Sequence, residues 1–167
     1  MLIIPLIIPD GTCSAFRGVG PRNFADLYCI RKLGIRTVLS LETGCFEFLH
    51  GQYNQEVINS IELSMAPIQL HLSNVLRPTF KQIDTALRVL GSPRLCPVFF
   101  HCLQGKDRTG IIGAAYRIKY CGWTVDAAIN EMLAFGFHSW CYAHWVRQLR
   151  EWAKRRDESF REPHLAV

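Results

Sequence analysis

Cys96-Pro97-Val98-Phe99-Phe100-His101-Cys102-Leu103-Gln104-Gly105-Lys106-Asp107-Arg108-Thr109-Gly110-Ile111-Ile112-Gly113 is the stretch on which the fold of this chain turns. The apolar run Pro97 to Phe100 predicts a short central strand covered on both faces and ending at His101. The strand delivers one cysteine, Cys102, to a loop. A helical apolar pattern then begins at Ile111, Ile112, Ala114, Ala115 and Ile118. A loop that runs into a helix N-terminus points unpaired backbone N–H groups at one spot, with the positive end of the helix dipole behind them, and so makes an anion site.

The residue types in the loop give that anion site a chemistry. A thiol held among such N–H groups and beside Arg108 is expected to be a thiolate near neutral pH. Arg108, six positions after Cys102, has the planar fork that grips two phosphate oxygens at once. Thr109 adds a hydroxyl able to donate to the thiolate. The backbone from Leu103, Gln104, Gly105, Lys106, Asp107 and Arg108 is the expected phosphate cradle. The set suits in-line attack of sulfur on phosphorus, a phosphocysteine intermediate and its hydrolysis, with no metal and no cofactor.

His101 to Gly110 resembles the signature loop of the cysteine-dependent protein tyrosine phosphatase superfamily. Over roughly Cys13 to Trp152 the chain is similar to the small atypical dual-specificity phosphatases of bacteria, plants and fungi. The strand Gly34 to Leu41, the helix after Pro78 and the Trp123 to Phe137 stretch support the likeness. The resemblance implies an α/β fold of the compact dual-specificity phosphatase kind, a mostly parallel central sheet flanked by helices. It implies that His101 hydrogen-bonds loop carbonyls and helps hold Cys102. It also implies a general acid, usually an aspartate on a mobile loop, which strand order places between Pro67 and Pro78. That segment reads Pro-Ile-Gln-Leu-His-Leu-Ser-Asn-Val-Leu-Arg-Pro and holds no carboxylate. Asp107 in the signature loop and His71 are the candidate acids, and a substrate that needs no protein acid is the third alternative. Lysine at the position of Lys106 recurs among superfamily members that take inositol phosphates or phosphoinositides, where it meets a second phosphate. The expected partner is therefore a densely charged phosphorylated small molecule, an inositol phosphate or phosphoinositide, or else a phosphoprotein. A non-catalytic phosphate-binding module leaves Cys102, Arg108 and Thr109 without a purpose, and a rhodanese-like sulfurtransferase leaves the Arg108-Thr109 pair unexplained.

Composition agrees with one globular unit. The 167 residues, 49% hydrophobic and 20% charged, suffice for a single core, with the phosphatase domain spanning 1–167 and its core about 13–153. Lysine and arginine number 19 against 14 acidic residues, and the net +5 draws anionic ligands. The basic cluster Arg147, Arg150, Lys154, Arg155, Arg156 and Arg161 suits the negative end of a helix better than nucleic acid. Seven cysteines without a Cys-x-x-Cys pair indicate neither a zinc site nor a disulfide scaffold. A thiolate nucleophile must stay reduced, which points to the cytoplasm and leaves export open if Cys102 is sheltered. Met1 to Ile8 is apolar but short and interrupted by Pro5. It is expected as an extended edge segment rather than a signal, and no transmembrane segment is found.

Element by element, a helix is predicted after Pro21 with Asn23 as N-cap and Phe24, Leu27, Tyr28 and Leu33 on one side. A strand is predicted over Ile35 to Leu41, a helix over Glu47 to Ser60 split by Gly51, and a strand over Ile61 to Pro67. Helices follow from Pro78 to Gly91, after Thr124, and over Trp140 to Arg155, the last with Cys141, Trp145, Leu149 and Trp152 on one stripe. Thr12 to Gly20 reads as irregular, and places Arg17 and Arg22 in an early loop. His71, Arg77 and His138 fall on segments expected to border the pocket.

Overall fold

The computed structural model describes residues 3–7, 11, 14–42 and 47–161. Its single sheet has the strands β1 (Ile3–Ile7), β2 (Ser14–Val19), β3 (Thr37–Ser40), β4 (Ala66–Gln69) and β5 (Val98–Cys102), in the order β1-β2-β5-β3-β4. β1 runs antiparallel to β2, and every other pairing is parallel. The helices are α1 (Phe24–Lys32), α2 (Glu47–Glu62), α3 (Phe80–Leu90), α4 (Asp107–Tyr120), α5 (Val125–Ala134) and α6 (Ser139–Arg161). The fold is thus α/β with a mostly parallel sheet flanked by helices.

β5 is the central strand, and all five of its residues are buried. Side chains alternate across a strand, so Val98, Phe100 and Cys102 join a large core with Ile83 and Leu87 of α3, Ile111 and Ala115 of α4, and Trp145 and Leu149 of α6. Phe99 faces the opposite way, into a smaller core with Leu27 and Ile30 of α1 and Val38 of β3. The ring of His101 stacks on Phe99, with centroids 5.5 Å apart. One strand end therefore presents a thiol to one layer and an imidazole to the other.

Several boundaries differ from the sequence reading, each for a local reason. The segment read as irregular holds β2, whose Arg17 and Gly18 interrupt the apolar pattern that marks a strand. α2 runs through Gly51 to Glu62, and β4 starts only at Ala66, after a turn in which Ser64 takes a φ of 55°. The apparent alternation from Ile61 to Pro67 spans the end of α2, the turn and the first two residues of β4. In α1 the buried residues are Leu27 and Ile30, while Phe24, Tyr28 and Leu33 are exposed. Asn23 and Thr124 cap their helices as predicted, accepting from Asp26 N and Ala127 N. α3 gains a reciprocal cap between Thr79 and Gln82. On α6, Trp145, Leu149 and Trp152 are buried and Cys141 is exposed. Cys96 is disulfide-bonded, which cysteine spacing did not announce.

Candidate active site

At the carboxyl end of β5 the chain passes from Cys102 into a loop and then into α4, which begins at Asp107, one turn earlier than the apolar pattern indicates. Gly105 makes the loop possible. Its φ is +68°, and a Cβ there would lie 2.5 Å from the carbonyl oxygen of Gly18 on β2, so both backbone conformation and close approach require glycine. Cys102 is 3% exposed. Its sulfur-bearing residue lies at a cavity of about 180 Å³ shared with Leu103, Gln104, Asp107 and Arg108. The remaining wall comes from Asn74, Tyr142 and Trp145. A larger cavity of about 260 Å³, between the start of α1 and α2, includes Glu56 and Arg22 but not Cys102. Cys102 and the Arg108 guanidinium belong to the smaller one.

Arg108 is anchored at the end of β3, where its Nη1 donates to the Leu41 carbonyl at 3.4 Å. Asp107 is held by His138 twice over. The His138 backbone N–H donates to Oδ1 at 2.9 Å, and ring Nδ1 lies 3.1 Å from Oδ1 and 3.0 Å from Oδ2. The two side chains that sequence reading named separately are one hydrogen-bonded pair beside the cavity, because the turn between α5 and α6 returns to the start of α4. The hydroxyl of Tyr142 donates to the Asn74 carbonyl at 2.9 Å, which fastens the loop before α3 to α6 across the mouth.

Other predicted residues are placed differently. Thr109 is fully buried, and its hydroxyl has no hydrogen-bond partner among the described residues, so a bond to the Cys102 sulfur is not formed. His101 is fully buried, but its Nε2 meets Glu56 Oε1 of α2 at 3.1 Å instead of a loop carbonyl. His71 Nδ1 lies 2.9 Å from the Glu42 carbonyl oxygen, and His71 is not among the residues lining the Cys102 cavity. From the loop expected to carry the acid, Asn74 reaches the cavity. Lys106 does not line it either. It borders an adjoining cleft of about 160 Å³ with Arg17 and Phe135, and Gln104 lines both spaces.

Two charged groups near the loop take places that the sequence reading did not give them. Glu42 follows β3, and burial pushes its carboxyl above the ordinary value, with His101 and Arg108 opposing. Arg17, read as an early-loop residue, sits on β2 at 1% exposure with Nη2 donating to the Gly105 carbonyl at 3.0 Å. No sequence signal distinguishes a buried arginine of this kind from a solvated one. Among the described residues no group of three or more histidine, cysteine or acidic side chains forms a metal cluster.

A family model described as the tyrosine phosphatase family matches residues 13–151. The dual specificity protein phosphatase TpbA of Pseudomonas aeruginosa is 49% identical over 57 residues, which are 34% of this chain. That match spans about a quarter of the relative, 26% of its length. Among solved structures, Tk-PTP superposes with a TM-score of 0.70 at 17% identity, over 93% of this chain and 97% of the other. The catalytic domain of the PP-IP phosphatase SIW14 from S. cerevisiae gives 0.67 at 20% identity, over 93% and 90%. P. aeruginosa TpbA in complex with pTyr gives 0.66 at 21%, over 91% and 94%. These likenesses carry the fold.

Proposed function

Because this chain belongs to the tyrosine phosphatase family, we propose that it hydrolyses phosphate monoesters through a phosphocysteine and that its preferred substrate is an aryl phosphate of the phosphotyrosine kind. The observation that carries the substrate reading is the cavity itself. Cys102, Arg108 and Asp107 share it with the side chains of Leu103, Tyr142 and Trp145, and Arg108 is the sole cation among its described lining residues. One guanidinium suits one phosphoryl group, and aromatic and aliphatic walls suit a ring. Leu76, Val75 and Trp140, which adjoin the wall residues in sequence, are 71%, 66% and 83% exposed.

The positions of these residues support the following course. Sulfur of Cys102 attacks phosphorus, the bond to the ester oxygen breaks, and the bond electrons go to that oxygen, which takes a proton from the Asp107–His138 pair. Arg108 grips two non-bridging oxygens throughout. Water then attacks phosphorus and gives its proton back to the pair. The S–P bond breaks, and phosphate leaves with Cys102 again a thiolate.

A second reading, the inositol phosphate or phosphoinositide expected from Lys106, has one observation in its favour. Lys106 borders a cleft that adjoins the cavity through Gln104, so a second phosphate there has a cation to meet. The two readings separate in kcat/KM. A phosphotyrosine peptide is expected to exceed every inositol phosphate and phosphoinositide tried, with Lys106→Ala changing the peptide value less than about threefold. An inositol phosphate as the better substrate, with loss of that preference in Lys106→Ala, overturns the aryl reading in favour of the second.

The cysteines support a reading of the compartment. No helix of the described residues is long and apolar enough to cross a membrane. A disulfide at Cys96 suits an oxidising environment, which favours the export held open above over the cytoplasm, with Cys102 sheltered inside its loop.

A further inference from the structure

Arg17 is a charged side chain taken out of water without an ion pair among the described residues. Its residue is 1% exposed, its Nη1 has no hydrogen-bond partner among the described residues, and its Cζ lies 4.9 Å over the Phe135 ring. Burial lowers its pKa to about 10, opposed by attraction to Glu131 and then to Cys102, so the guanidinium stays charged at neutral pH. Glu131 itself is committed to Arg117, with a contact of 2.8 Å. The chain makes room for this cation: a Cβ on Gly113 of α4 would lie 3.3 Å from Arg17 Nη1. A buried cation costs several kcal/mol unless something negative compensates it. One polar contact of Arg17 is the Gly105 carbonyl, in the middle of the loop that carries Cys102.

We propose that Arg17 is a positioning residue for the phosphoryl-transfer loop, a buried cation that pins the Gly105 carbonyl from behind and stabilises negative charge on Cys102 and on a bound phosphoryl group. Gly105 and Arg17 line the adjoining cleft and not the Cys102 cavity. The carbonyl is thus held on the side away from the cavity. In a trans peptide C=O and N–H point in opposite directions, so the same hydrogen bond turns the Lys106 N–H toward the cavity, where an anion needs it. The charge acts through low-dielectric protein and is poorly screened by salt. This inference rests on the phosphocysteine reading above, and deepens it by naming what holds its loop.

The test compares wild type, Arg17→Met and Arg17→Lys at one slightly acidic pH. Alkylation of Cys102 by iodoacetamide is followed by peptide mass spectrometry, which separates it from the other thiols Cys29, Cys121 and Cys141. Inhibition by inorganic phosphate and the split between kcat and KM are measured alongside. Arg17→Met is expected to alkylate about tenfold more slowly and to bind phosphate about tenfold more weakly, the size of one unit in a proton equilibrium. Arg17→Lys, which keeps the charge, is expected to recover the alkylation rate to within about threefold. A folded Arg17→Met with wild-type alkylation and phosphate inhibition overturns the proposal, and so does a folded Arg17→Lys as slow as Arg17→Met. If Arg17→Met does not fold, Arg17→Lys decides alone, near-wild-type alkylation supporting the proposal and loss of it overturning it. Alkylation needs no turnover, so failure of the wild type to hydrolyse any phosphate ester sinks the phosphatase reading without touching this comparison.

Discussion

Asp107 is the residue whose role depends most on its surroundings. Its sequence neighbours in the loop are Lys106 and Arg108, and neither can share its proton. With His138 bonded to both of its oxygens, a proton has two places to reside and a short path between them. Asp107→Asn is expected to slow hydrolysis of an alkyl phosphate by roughly 10²-fold or more and that of an activated aryl phosphate far less, because only the poor leaving group needs the proton. His138→Gln should show the same contrast at smaller amplitude. Equal losses on both substrates mean that the pair only shapes the loop. Glu42 makes a prediction of opposite sign to most carboxylates. Its folded pKa is raised by burial above the ordinary 4.5, so the native state binds its proton more tightly than the unfolded chain does. Stability supplied by the protonated form is present at low pH and lost as pH rises through the raised value. The melting temperature of Glu42→Gln relative to wild type should therefore climb as pH increases from about 4 toward neutrality, and a gap that narrows over that range contradicts the assignment.

Among the elements, the loop between β5 and α4 was legible because its chemistry is written in consecutive residues, and Asn23, Thr124 and Gly91 marked helix ends for the same local reason. β2 was not legible. Its Arg17 is polar by composition and buried only because α4 offers Gly113 and the loop offers the Gly105 carbonyl, both far away in sequence. The Glu56 contact to His101 and the His138 contact to Asp107 likewise join positions that only the folded chain brings together. Gly105→Ala tests the element directly. The left-handed conformation costs an L-residue about 1–2 kcal/mol, and the added carbon meets the Gly18 carbonyl as well. A fall in melting temperature together with loss of phosphate binding is expected, and an unchanged melting temperature shows that the loop does not need this glycine.

At the scale of the whole molecule, one strand end organises both layers. β5 sends Cys102 into the core shared by α3, α4 and α6 and sends His101 toward α1 and α2, so the mostly parallel sheet places Cys102, Arg108 and the Asp107–His138 pair at one end. The sequence pattern reached that architecture and the central loop from His101 to Gly110. It did not reach the depth of the pocket wall, because Asn74, Tyr142 and Trp145 converge there through packing alone. The central claim is that phosphate passes through Cys102, and acid-quenched turnover of an aryl phosphate followed by mass spectrometry of the Cys102 peptide tests it. The account predicts phosphate bound covalently to Cys102 in wild type, a larger bound fraction in Asp107→Asn if hydrolysis of the intermediate slows, and neither phosphoenzyme nor turnover in Cys102→Ser. Turnover by Cys102→Ser, or phosphate found on another residue while wild type turns over, contradicts it.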